Sequence, residues 1–326
     1  MDLPADAPNG EELREARERI APWVHRTALM SNATISRLVG TTVLFKCENF
    51  QKVGAFKARG ALNHLLQQPW ERIEKGVVTH SSGNHAQAVA WAARLLKVPA
   101  RIVMPENSAA VKVAAVRRYG GEIAFCEPND EARETAARKI VEETQSHFVH
   151  PYDNRDIIAG QASVGLEIVE QLDHPELILA PVGGGGLLSG CALAARYYGT
   201  DLPVWGAEPE LASDAYQSLR EGRRQPAMPA KTVADGLRTG LGELNFGIIR
   251  SAVKGIGLCS EKSIVRAMRL IWERMKIVVE PSAAVPLAAL LEGTIDRGGR
   301  QVIVVLSGGN VDLNRIPEIL ALDEDG

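Results

Sequence analysis

Lys57 stands in the run Phe45-Lys-Cys-Glu-Asn-Phe-Gln-Lys-Val-Gly-Ala-Phe-Lys57-Ala-Arg-Gly60, at the head of a helical stretch and just after a Gly-containing turn. Three small-residue loops follow downstream, each where a hydrophobic run ends: Ser81-Ser-Gly-Asn-His85, Gly183-Gly-Gly-Gly186 and Ser307-Gly-Gly-Asn310. Four glycines at a strand-to-helix junction let backbone N–H groups converge on an anion, and the helix start adds positive potential. Two nucleotide motifs are excluded there. Leu188 and Ser189 occupy the third-glycine positions of GxGxxG, and no GK[ST] follows. Ser81, Ser82, Asn84 and the loop N–H groups offer donors for a carboxylate. Either serine alone would be no more than a helix cap, and His85 alone a packed structural histidine. A lone lysine is nearly always a solvated surface charge, but an amine, an anion cradle and polar groups for a flat ring together suit covalent amine catalysis with a phosphorylated aromatic cofactor.

The elements that must hold these residues alternate between strand and helix. Val43–Cys47, Gly76–His80, Arg101–Met104, Glu122–Cys126, Leu177–Val182, Val204–Ala207 and Gln301–Leu306 read as strands. Residues 11–21, Phe56–Leu66, Gln87–Leu96, Ala109–Tyr119, Asp130–Thr144 and Glu261–Met275 read as helices. Such alternation predicts an α/β fold with largely parallel sheets covered by helices on both faces. Ligands in such folds bind beyond the carboxyl ends of strands, which is where all three loops fall. Residues 222–232 read as an exposed loop.

The chain has 326 residues, 45% of them hydrophobic, and a net charge of -3. That is enough for one or two domains with a packed core. The charge balance gives no reason to expect a nucleic acid partner. No apolar run reaches the roughly 18 to 20 residues of a membrane helix. The N-terminus lacks a signal-peptide pattern, which leaves the cytoplasm as the expected compartment. Cys47, Cys126, Cys191 and Cys259 form no CxxC pair, so neither a zinc site nor a disulfide scaffold is expected.

The Lys57 run and the three loops, in this order, resemble the fold-type-II pyridoxal phosphate enzymes, and within them the serine racemase and serine/threonine dehydratase group that includes the 3-hydroxyaspartate dehydratases. The resemblance runs from about Ile20 to Pro317. It implies two three-layer domains of the tryptophan synthase β-like type. The large one would comprise residues 1–75 and 154–326, and a small mobile one, residues 76–153, would carry the substrate loop.

The resemblance also implies roles. Lys57 links to pyridoxal 5'-phosphate and acts as base. Phe56 packs near the ring, Asn84 contacts the ring hydroxyl, Gly183, Gly184, Gly185 and Gly186 hold the phosphate, and Ser307 meets the pyridine nitrogen. Ser81, Ser82, Asn84 and His85 form the substrate loop. Ser82 is also a catalytic group on the opposite face that opens racemisation. Arg133 reaches a substrate's distal carboxylate. Glu208, Asp214 and the carbonyl of Ala212 are oxygen ligands after a strand, of the kind a hard cation takes. As acidic loop residues they would ordinarily just be solvated, and it is their match to the family's loop that points to Mg²⁺ (or Ca²⁺/Mn²⁺). The expected activity is β-elimination from serine, threonine or 3-hydroxyaspartate, with racemisation as an added or alternative activity, in a homodimer. A cysteine-synthase-type β-replacement or a non-catalytic amino-acid-binding regulator are more remote readings. No separate effector domain is expected beyond residue 317.

Overall fold

The computed structural model describes residues 2–81, 83–228 and 230–324. Ten strands form two sheets. The first contains β1 (Leu29–Ser31), β2 (Val43–Cys47), β7 (Ile178–Pro181), β8 (Val204–Pro209), β9 (Gly255–Cys259) and β10 (Val302–Leu306), in the order β1-β2-β10-β7-β8-β9. All its pairings are parallel except β1 with β2. The second contains β3 (Val77–His80), β4 (Ala100–Pro105), β5 (Glu122–Cys126) and β6 (His147–Phe148), in the order β5-β4-β3-β6, all parallel. β10 reads Val-Ile-Val-Val-Leu and every residue is buried. A near-continuous apolar run of this kind marks a parallel strand covered on both faces.

Register brings the loops together. Leu306 pairs with Cys47, so the chains leaving β2 and β10 emerge side by side. The Phe56 N–H donates to the Ser307 carbonyl at 3.0 Å, and Ala55 bridges Gly308. The Lys57–Leu66 helix therefore starts against the end of β10. It crosses the Arg155–Gln171 helix closely. A methyl at Gly160 would lie 2.7 Å from the Arg59 carbonyl and from Gly60 Cα, so only glycine fits there.

That crossing is locked by a buried ion cluster. Arg59 donates to both oxygens of Glu48 at 2.8 Å and to the two oxygens of Glu167 at 2.7 and 3.0 Å. Lys46 reaches Glu167 at 2.6 Å, Gln171 at 2.8 Å and the Thr27 carbonyl at 2.9 Å. Lys46 is thereby committed to structure.

The strands and helices expected from the sequence are present within a few residues. The alanine-rich helix starts at Asn84 rather than near Gln87, so Asn84 and His85 lie in its first turn. The Arg155–Gln171 helix, β9 and the short β1 have no counterpart in the sequence reading. Thr232, at the end of the expected exposed loop, is buried, and its carbonyl accepts from Arg238. The four cysteines are free and buried. Among the described residues no helix is long and apolar enough to cross a membrane.

Candidate active site

Lys57 opens its helix, and its Nζ donates to the Pro151 carbonyl at 2.7 Å. The ammonium lies 5.2 Å from the Phe56 ring centroid and 5.9 Å from that of Tyr152. Burial pulls its pKa down to about 8, because desolvation penalises the charged form. About a tenth of this amine is therefore neutral and nucleophilic at pH 7, and more as pH rises.

Gly183–Gly186 run from the end of β7 into the Gly186–Tyr198 helix. Gly185 has φ +94°, a conformation that favours glycine. A methyl at Gly183 would sit 3.0 Å from Leu237 Cα and 3.3 Å from the Thr239 hydroxyl. A methyl at Gly184 would lie 2.3 Å from Tyr152 Cγ. The run is a cradle that side chains would fill, at the N-terminus of a 13-residue helix, and it suits a phosphate.

The segment 150–153 spans the cradle. His150 Nδ1 accepts the backbone N–H groups of Tyr152 and Asp153 at 3.2 and 2.8 Å. An imidazole that accepts there must be neutral, and burial holds its pKa down at about 4. Asp153 in turn accepts from the Glu243 and Asn245 N–H groups at 2.8 and 3.1 Å.

Ser81 follows β3, and its hydroxyl accepts the Gly83 N–H at 3.2 Å. Ser82 lies outside the described residues. Asn84 donates to Glu280 Oε1 at 2.7 Å and accepts from Asn310 at 2.8 Å. His85 is buried. Its Nε2 lies 3.4 Å from the Val149 carbonyl, and its Nδ1 has no partner among the described residues. Burial holds the His85 pKa well below the usual histidine value. Ser307 is buried at the end of β10.

Arg133 and the three expected cation ligands lie on other elements. Arg133 lies in the first turns of the Asp130–Thr144 helix, with its Nε toward the Asn129 carbonyl at 3.4 Å. Glu208, in β8, and Asp214, at the start of the helix that follows, are buried. Glu208 accepts the N–H groups of Ala215 and Tyr216 at 3.0 and 2.8 Å, and Asp214 that of Leu241 at 3.0 Å. Burial, then the neighbouring Asp214, push the Glu208 pKa well up. Burial takes Asp214 to about 6. Ala212 is buried in the turn between them. Among the described residues no group of three or more His, Cys, Asp or Glu side chains could hold a metal ion. The pair offers two carboxylates, and any further ligands would be carbonyls or water.

Sequence reasoning missed Tyr152, His150, Thr239, Glu280 and Asn310 around this cleft. Only Asn310 carried a signal, as the last residue of the Ser307–Asn310 loop.

Comparison with known proteins agrees with this geometry. Residues 20–308 match the family model described as "Pyridoxal-phosphate dependent enzyme". The chain is 43% identical over 314 residues to the serine racemase of Dictyostelium discoideum, covering 95% of this chain and 97% of that protein. It is 43% identical over 310 residues to the beta-hydroxyaspartate dehydratase of Paracoccus denitrificans, covering 95% and 98%. The structure of maize serine racemase superposes with a TM-score of 0.93 at 42% identity, covering 97% of each chain. The chain belongs to the fold-type-II pyridoxal-phosphate-dependent enzymes, in the family of serine racemases, threonine deaminases and hydroxyaspartate dehydratases.

Proposed function

We propose that this enzyme catalyses β-elimination from a small β-hydroxy amino acid (serine, threonine or 3-hydroxyaspartate), releasing a 2-oxo acid and ammonia. The observation that carries the reading is Lys57, an amine with a pKa of about 8, at the start of a helix packed against the end of β10 and facing the segment over the glycine cradle. Bound pyridoxal phosphate supplies an electron sink for the pair left on the substrate's Cα. Lys57 removes the Cα proton as general base. The β-hydroxyl leaves as water, and hydrolysis of the resulting enamine takes water up again, so the net change is loss of ammonia. Ser81, His85 and the loop N–H groups hold the substrate carboxylate, the Asn84 side chain faces the ring, and Gly183–Gly186 hold the phosphate. Phe56 flanks the ring, and Ser307 meets its nitrogen with a neutral hydroxyl. A hydroxyl does not keep that nitrogen protonated as a carboxylate would, which favours proton loss coupled to departure of the leaving group.

Residues 76–153 act as a small mobile domain over a large domain of 1–75 and 154–326, a reading supported by the confinement of β3–β6 to that stretch. Glu208, Asp214 and the Ala212 carbonyl bind Mg²⁺ or Ca²⁺, a role supported by two buried carboxylates with no cationic side chain in a described ion pair with either. The active form is a homodimer. Racemisation is a second activity, favoured by the serine racemases among the relatives and by Ser82 in the substrate loop.

A substrate panel tests this. L- and D-serine, L-threonine and the 3-hydroxyaspartate isomers are assayed for ammonia, 2-oxo acid and the opposite enantiomer. Product from at least one β-hydroxy amino acid is expected, and no product from any of them by cofactor-loaded enzyme overturns the reading. Ser82→Ala is expected to abolish racemisation and spare elimination from L-substrates. Arg133→Ala should lower efficiency on 3-hydroxyaspartate about ten-fold to a hundred-fold, the value of a hydrogen bond to a charged group, and leave threonine nearly unchanged. A uniform loss removes Arg133 as the reader of a second carboxylate.

A further inference from the structure

Asn84 is held at both ends by groups that the activity does not itself require. Its Oδ1 accepts from Asn310 Nδ2 at 2.8 Å, and its Nδ2 donates to Glu280 Oε1 at 2.7 Å. An amide side chain can face either way, and only its partners decide which end is nitrogen. Here the decision traces to a backbone atom. Asn310 Nδ2 also donates to the Val53 carbonyl at 2.7 Å. A carbonyl only accepts, so nitrogen must face it. The same nitrogen uses its second hydrogen on Asn84, so oxygen must face it there. The Asn84 nitrogen is thereby turned to Glu280, and one of its two hydrogens remains unspent.

The surroundings hold this arrangement at some cost. Val53 has φ +56°, a left-handed conformation that a β-branched residue rarely adopts. Local strain of this kind persists only where the neighbouring structure fixes it. Gly54 follows with φ +70°, and a methyl on it would meet Asn310 Oδ1 at 2.8 Å. Gly308 clears the other end, where a methyl would lie 2.7 Å from Glu280 Oε1 and 3.0 Å from Asn84 Nδ2. The Glu280 N–H donates to the Gly308 carbonyl at 3.1 Å, and the Gly309 N–H to the Gly54 carbonyl at 2.9 Å. Glu280 is buried, and its Oε1 accepts in either protonation state.

We propose that the Val53 carbonyl, Asn310 and Glu280 are positioning groups that fix the polarity of Asn84, so that it presents an N–H, and not a carbonyl, to the 3-oxygen on the pyridine ring of the cofactor. The ring oxygen is then recognised as an acceptor, and its anionic form is favoured. The strained Val53 turn, four residues before Lys57, thus serves the ring and not only the chain reversal. This inference rests on the assignment of pyridoxal phosphate to the Lys57 cleft.

The test compares apoenzyme binding of pyridoxal 5'-phosphate and of 3-deoxypyridoxal 5'-phosphate, which lacks only the ring oxygen. Wild type should prefer the natural cofactor by about ten-fold to a hundred-fold. Asn310→Ala and Glu280→Leu, in different segments of the chain, should each shrink that ratio toward one and leave the affinity for the 3-deoxy compound unchanged. Glu280→Gln, which keeps an acceptor, should restore the preference. The visible band of the bound natural cofactor should shift in Asn310→Ala and Glu280→Leu and return in Glu280→Gln. Equal loss for both compounds, or an undiminished preference in either Asn310→Ala or Glu280→Leu, overturns the inference. Equal affinity of wild type for the two compounds also overturns it while leaving the cofactor assignment intact. Wild type that binds neither compound overturns the assignment itself.

Discussion

Two buried charge clusters, one at β2 and one at β8, flank β10 and β7 in the order of the large sheet, and they are built differently. Around Arg59, two cations (Arg59 and Lys46) meet two carboxylates (Glu48 and Glu167), and the guanidinium and ammonium both find acceptors. Around Glu208, two carboxylates sit together with backbone N–H groups and no cation in a described ion pair. The first cluster is completed by the chain and holds the helix that carries Lys57. The second has no side-chain counter-charge in a described ion pair. Burial has the same physical effect in both, raising the demand for a counter-charge. The difference lies in who meets the demand.

The largest expected effect comes from breaking the completed cluster. Arg59→Ala leaves Glu48 and Glu167 buried without their main counter-charge and should cost about 3–5 kcal/mol in urea unfolding. Adding Glu48→Gln and Glu167→Gln in the same chain should recover part of that loss. If the triple variant is no more stable than Arg59→Ala alone, uncompensated charge is not the cause.

The incomplete cluster should respond in the opposite sense, by gaining a partner. Mg²⁺ or Ca²⁺ at a hundred times its dissociation constant should stabilise the protein by about 2.7 kcal/mol, read as a rise in melting temperature. Glu208→Gln and Asp214→Asn should abolish the rise, and chelator should reverse it in wild type. A cation response that survives in both variants places the ion elsewhere.

The pH dependence sharpens the same contrast. Burial raises Asp214 from 3.8 to about 6 in the folded protein, so the native state binds more protons than the unfolded one between those values. In the absence of cation its contribution to stability is therefore lost as pH rises through that window, and levels off above about pH 6. Asp214→Asn should flatten this part of the profile, which is checked by unfolding at a series of pH values.

The smallest effect concerns the ion pair between Lys112, on the Ala110–Arg118 helix, and Asp235, near the cradle. It is partly solvated, and Lys112→Ala should change stability by no more than about 1 kcal/mol. A loss of several kcal/mol would place it in the class of the Arg59 cluster.

The comparison also explains what was legible in the sequence. Strands such as Val302–Leu306 announce themselves by composition, and Gly183–Gly186 by four like residues at a strand end. The Arg155–Gln171 helix does not, because most of its residues are buried and it lacks the one-sided apolar stripe that marks a surface helix. Glu48, Lys46 and Glu167 are individually charged residues of a kind usually solvated, and their pairing spans up to 121 positions. Pro151 reaches Lys57 across 94 positions, and Tyr152 beside it, through tertiary packing alone. Glu280 carries no signal in the sequence, and only the fold turns it inward against Asn84.

The central claim is that Lys57 is the cofactor-linking amine, and the visible spectrum tests it most directly. Wild-type protein loaded with pyridoxal phosphate should show the visible band of the lysine-linked cofactor, and Lys57→Ala should lack it. Because burial takes the amine to about pKa 8, capture of the cofactor by apoenzyme should quicken as pH rises through that value, where the neutral amine becomes the majority form. An unchanged band in Lys57→Ala contradicts the account.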